Sequence, residues 1–225
     1  MDIFEYNKRQ EMKQHPLFQQ INYKPSSENV GNTSYILRQA HENATRDNPM
    51  AVVKIGDWIK YYFASGEQRK ELGQENYQTI QYYGRTEEEI AVMAASLHYD
   101  LIQKGYKITL QAAENIVYIS VIDDPYSEYV RCCNIMFKMR KQYPNMKFFL
   151  SKPQEMKEYG VDIMAYKDGK LVGAIKTLPR TALGKKERLD EFKQMHDTFK
   201  MIYGCNIQFT FSSVPGYTEG PMPVF

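Results

Sequence analysis

One stretch of the chain carries charge where its neighbours are apolar. It reads Gly160-Val161-Asp162-Ile163-Met164-Ala165-Tyr166, then Lys167-Asp168-Gly169-Lys170, then Leu171-Val172-Gly173-Ala174-Ile175-Lys176-Thr177. Asp168-Gly169 is a hairpin turn signal, and the two flanking runs read as paired strands. In such a hairpin Asp162 and Lys176 land near each other across the strands. Charge buried among apolar strands is costly unless it is paired or bound to a metal. One reading is a structural Asp–Lys ion pair on the solvent face. The other is a site in which the carboxylate holds a metal beside the ammonium.

The elements around this hairpin follow from periodicity and turn chemistry. Tyr126 to Tyr143 is amphipathic, with Val130, Cys133, Ile135, Met136 and Met139 on one side and Arg131, Lys138, Arg140 and Lys141 on the other, which predicts a helix. Lys147 to Ser151 reads as a strand. After the hairpin, Leu189, Phe192, Met195, His196, Phe199 and Ile202 recur at helical spacing up to Gly204, and Asn206 to Phe211 reads as a last strand. The N-terminal half is mainly helical in pattern. Its best-marked helix starts at Thr86, three residues before Glu89, as a capping box, and stops at Gly105. Ser65-Gly66 reads as a helix stop and Asp123-Asp124-Pro125 as another, and the β-branched run Ile116–Ile122 fits a helix or a strand. Residues 1–33 read as an arm or a short helix. The expected organisation is a helical region over 1–122, an α/β core over 123–213 and a tail over 214–225, in a mixed α+β fold.

Gly-Val-Asp-Ile, a hairpin and then Gly-x-Ile-Lys-Thr resembles the PD-(D/E)xK nuclease superfamily, and within it the prokaryotic type II restriction endonucleases. The resemblance covers about the last 90 residues. It implies a restriction-endonuclease-like core of order α-β-β-β-α-β, with the helical N-terminal region packed on it and serving DNA recognition or dimerisation. It implies a site-specific double-stranded DNA endonuclease that hydrolyses phosphodiester bonds with Mg²⁺, acting as a homodimer. Asp162 matches the metal-binding aspartate of that motif, and Lys176 matches the lysine that orients or helps deprotonate the attacking water.

The motif's second carboxylate belongs two residues before the lysine, where this chain has Ala174. A methyl group cannot hold Mg²⁺. Three explanations stand. The carboxylate comes from elsewhere, as Glu128 on the preceding helix or Glu158 would supply it. Position 174 has been changed to alanine, which gives an inactivated nuclease. Or the chain is a non-catalytic DNA-binding module on a nuclease-like core. Beyond the hairpin, Leu178 to Arg188 is a basic loop, and Arg180, Thr181, Lys185 and Lys186 are the expected contacts to the DNA backbone. A solvated loop is the plainer reading of any one of them.

Composition narrows the field. Over 225 residues, 43% hydrophobic and 25% charged residues fit an ordinary globular chain with a real core. A net charge of +2 does not mark a polyanion binder as a whole, so any DNA-binding face must be local. No apolar run reaches the length of a membrane span. Cys132, Cys133 and Cys205 form no disulfide framework, and Met1 to Glu5 has no leader pattern; together they give a cytoplasmic expectation. No phosphate-cradling GxxxxGK and no GxGxxG occurs, which argues against an NTPase or a Rossmann oxidoreductase.

Overall fold

The structure is a computed structural model, and it describes residues 3–21, 23–46, 48, 51–179, 190, 192–214 and 217–218. The chain is mixed α+β and divides into two units, Met1–Tyr126 and Ser127–Phe225.

The first unit is helical: α1 (Ile3–Met12), α2 (Pro16–Gln20), α3 (Ser27–Val30), α4 (Thr33–Thr45), α5 (Ile55–Glu71), α6 (Tyr77–Ile80), α7 (Glu87–Gln103) and α8 (Leu110–Tyr118). The capping box of α7 forms as its sequence dictates: Glu89 N donates to Thr86 Oγ1, and Thr86 N donates to the Glu89 carboxylate. The core holds Trp58, Tyr62, Ile36, Leu37 and Ile122.

Two expected stops are not stops. α5 runs through Gly66, because that glycine makes room rather than a turn. A Cβ there would lie 2.4 Å from the carbonyl carbon of Arg85. The β-branched run ending at Asp123 is helical too: α8 passes through a π-helical turn, Ile119–Asp123, into α9 (Asp124–Gln142). Pro125 follows closely on the π-turn, where the helical hydrogen-bond pattern is already shifted. Asp123 in the π-turn accepts both arms of Arg9, at 2.7 and 2.9 Å. Residues 1–33, read as an arm or a short helix, hold α1, α2 and α3.

The second unit follows α9 with β1 (Met146–Leu150), α10 (Pro153–Tyr159), β2 (Ile163–Lys167), β3 (Lys170–Pro179), α11 (Lys193–Tyr203), β4 (Ile207–Val214) and β5 (Tyr217–Thr218). The sheet order is β1-β2-β3-β4-β5; β3 and β4 are parallel and the other neighbours antiparallel. α9 covers one face, packing Ile135, Met136 and Met139 on Phe148, Ile163, Ala165 and Ile175. α11 covers the other, packing Phe199 on Met164 and Ala174 together with Tyr159 and Val161. The short helix α10 and the two-residue β5 were not expected. α10 is the insertion between β1 and β2, with Pro153 in its first turn and Gly160 left-handed at its end. The expected helix over 189–202 is α11, and Leu189 lies outside the described residues, as does most of the expected tail.

The hairpin contains the decisive detail. Asp168 and Gly169 both have positive φ, 50° and 78°, the two-residue turn the sequence called for. That turn pairs Lys167 with Lys170 and Tyr166 with Leu171. Continued without interruption, this register would set Asp162 opposite Ile175 and place Lys176 on the other face of the sheet. A bulge prevents it. Ala165 pairs with Gly173, so Val172 is the extra residue, and from there Met164 pairs with Ala174 and Ile163 with Ile175. One inserted residue thus brings Asp162 and Lys176 to the same face. Deleting Val172 is expected to return the hairpin to uninterrupted register and leave the aspartate without its lysine. The loss should be about 3–5 kcal/mol of stability, read as a fall in the urea midpoint.

Candidate active site

Asp162 sits between α10 and β2, and its backbone is pinned on both sides. Its N–H donates to Ile175 O at 2.9 Å, its C=O accepts from Ser151 N at 2.9 Å, and Ser151 Oγ donates to Val161 O at 2.7 Å. The preceding glycine is required by its surroundings, since a Cβ on Gly160 would lie 2.8 Å from the Phe192 ring. So fixed, the carboxylate collects three donors. Lys176 Nζ reaches Oδ1 at 3.1 Å, while Thr177 N and Thr177 Oγ1 reach Oδ2 at 2.7 and 2.9 Å. Asp162 is 0% exposed and Lys176 9%. The solvent-face ion pair is therefore not what forms: the pair is inside.

The surroundings come from both helical layers. From α9, Cys132 Sγ lies 3.2 Å from Thr177 Oγ1. The threonine hydroxyl has one proton and gives it to Asp162, so the thiol is the donor in the second contact. Glu128, half-buried on the same helix, acts on Lys176 through its charge. On the other side, Lys176 Nζ lies over the ring of Phe192, the N-cap residue of α11, at 5.0 Å. Burial pulls the Lys176 ammonium down, but the charges of Asp162 and Glu128 and the hydrogen bond to Asp162 outweigh it, and the group ends above its ordinary 10.5.

The other expected site residues separate. Ala174 is 0% exposed and packs with Tyr159, Val161, Met164 and Phe199 in the α11-side core. Glu158 is exposed on α10, where its charge acts on Tyr159. Arg180, Thr181, Lys185 and Lys186 lie outside the described residues. Among the basic residues of α9, Arg140 is turned inward and donates to Phe148 O at 2.6 and 3.1 Å. Arg85, a basic residue of the helical unit, is 3% exposed and spends its guanidinium on the carbonyls of Glu28, Ile80, Tyr83 and Gly84. Thr177, Phe192 and Phe209 belong to the site and were not singled out. Thr177 was legible as the residue completing the Ile-Lys-Thr run. The two rings depend on sheet order, because Phe209 is the β4 partner of Lys176.

Asp162 and Glu128 offer hard oxygen donors of the kind Mg²⁺ takes. Mg²⁺ commonly uses one or two carboxylates and completes its sphere with water and substrate phosphate. Among the described residues no cluster of three or more His, Cys, Asp or Glu can cage a metal alone. Both Asp162 oxygens are engaged by Lys176 and Thr177, so a metal here would have to displace or share those donors.

Two consequences can be measured. Because the folded state binds the Lys176 proton more tightly than the unfolded chain, its contribution is complete below about pH 10.5 and is lost as pH rises beyond it. The stability difference between the natural chain and Lys176→Met should therefore shrink on titration above that pH in urea melts. Ala174→Glu would press a carboxylate into an apolar cluster and should cost roughly 3–5 kcal/mol, read from the same melts.

Comparison with protein-family models, with curated proteins and with solved structures finds no match for the chain.

Proposed function

We propose that the chain is a Mg²⁺-dependent endonuclease of double-stranded DNA, of the PD-(D/E)xK kind found in type II restriction enzymes. The observation that carries this is the buried Asp162–Lys176 pair at one end of a β-hairpin, with the charge of Glu128 bearing on it. The order α9-β1-α10-β2-β3-α11-β4 in the second unit supports the same reading, with α10 as an insertion after the first strand. In it Asp162 and Glu128 would hold Mg²⁺, which supplies stabilisation of the charge that develops on phosphate oxygens. Lys176, charged at neutral pH, orients the attacking water and faces the phosphate. Glu128 takes the place of the carboxylate that position 174 does not provide. A palindromic duplex site and two cuts imply a homodimer.

A second reading has its own observation. Position 174 lies inside the core, and Asp162 is already engaged by three donors, as in a structural pair. On that reading the chain binds duplex DNA without cutting it.

Supercoiled plasmid DNA incubated with the chain and Mg²⁺ or Mn²⁺ separates the two. Nicking or linearisation is expected, lost in Asp162→Ala and lowered about a hundredfold or more in Lys176→Met. Salt-sensitive duplex binding with no cleavage in either metal would leave the binding module, and neither binding nor cleavage would end both.

A further inference from the structure

The water that attacks a phosphodiester must give up a proton, and Lys176, Asp162 and Cys132 are poor takers. Lys176 already carries its proton at neutral pH. Asp162 is occupied by Lys176 and Thr177. The Cys132 thiol is turned to Thr177. One further group stands by: His196, one turn into α11.

Its ring is held by the aromatic rings that border Lys176. It stacks on Phe192 at 5.9 Å and 26°, and lies 5.0 Å and 36° from Phe209. Phe192 is the ring under the Lys176 ammonium, and Phe209 is the strand partner of Lys176. The imidazole thus lies over the face of the sheet to which Lys176 points. Its Nε2 is buried and has no hydrogen-bond partner among the described residues. A buried polar nitrogen left alone is costly, and a bound water is the usual answer to it. The charged groups that bear on it are Lys176 from β3, Asp162 from the turn before β2, and Asp197 on its own helix. Burial, reinforced by Lys176, holds the imidazole below its ordinary 6.5, so it is neutral at pH 7 and able to accept a proton.

We propose that His196 is the general base of this site, with Nε2 accepting the proton of the attacking water. The inference rests on the nuclease reading above. In the tautomer protonated on Nδ1, Nε2 presents its lone pair to the water. The water oxygen forms the new bond to phosphorus as its proton passes to Nε2. The bond from phosphorus to the leaving sugar oxygen breaks with its electron pair, and that oxygen takes a proton from solvent. The imidazolium, disfavoured beside Lys176, returns its proton to solvent.

The test uses the full chain in single-turnover cleavage of duplex DNA with Mg²⁺, followed from acid to neutral pH. The natural chain should slow on acidification as the imidazole protonates. His196→Ala should lose about a hundredfold or more in rate, keep its affinity for duplex, and recover part of the rate with added imidazole. A second readout needs neither metal nor DNA. Imidazole titration by NMR in the metal-free protein should place His196 below 6.5, and Lys176→Met should move it upward. A His196→Ala chain that cuts at nearly the natural rate would overturn the proposal. So would a rate loss that imidazole does not restore, or a titration that Lys176→Met leaves unmoved. If the natural chain cuts with neither Mg²⁺ nor Mn²⁺, the nuclease reading itself has failed, which is a different result.

Discussion

A carboxylate with no exposure to water sets the terms for the second unit. Burying that side chain is costly unless donors replace its lost hydration, and each donor has to come from somewhere definite. Two come from Thr177, through its backbone N–H and its hydroxyl, and one from Lys176. The strand that brings them is held in register by Asp162 N on Ile175 O, and the turn before β2 is tied back to β1 by Ser151. The two helical layers then close over the pair from opposite faces, α9 with Cys132 and Glu128, and α11 with His196 and its neighbour Phe192. The pair is therefore an organising centre for the sheet as well as a candidate for chemistry.

That double role explains why the plainest reading of the sequence was half right. Two charges flanked by apolar residues do pair, as expected. They pair inside the protein, because β3 is flanked on both sides, by β2 and by β4, and helices cover both faces. Sequence spacing could not show the bulge. Fourteen positions separate Asp162 from Lys176, an even spacing, whereas a two-residue turn pairs residues at odd spacings. Only the extra residue at Val172 reconciles the two. Position 174 shows the limit of motif transfer in another way. Alternation puts it on the same face as Lys176, but two residues along the strand the environment has become the packed core of Phe199 and Met164.

The helical unit was legible where the signal is local and misread where it is tertiary. The α7 capping box needs four residues and forms as written. Gly66 reads as a stop because an isolated glycine in a helical pattern is a breaker by propensity; here it admits the backbone of Arg85. Asp123-Asp124-Pro125 reads as a turn because acidic residues and proline gather at helix starts. It is a helix start, entered without a break from the helix before it. Buried arginines tell a similar story. Arg9, Arg69 and Arg85 count as basic residues in the composition, yet they are consumed by Asp123, by Glu75 and Glu89, and by main-chain carbonyls. Any surface in this chain that meets a polyanion has to be built from other cations.

The bulge at Val172 also constrains how such a ribbon can drift over generations. A single-residue insertion or deletion anywhere between Asp162 and Lys176 reverses the parity on which their meeting depends, unless a second length change or a lost bulge compensates for it. Indels in this ribbon are therefore expected in matched pairs, although its tip lies at the surface, where lone insertions are ordinarily harmless.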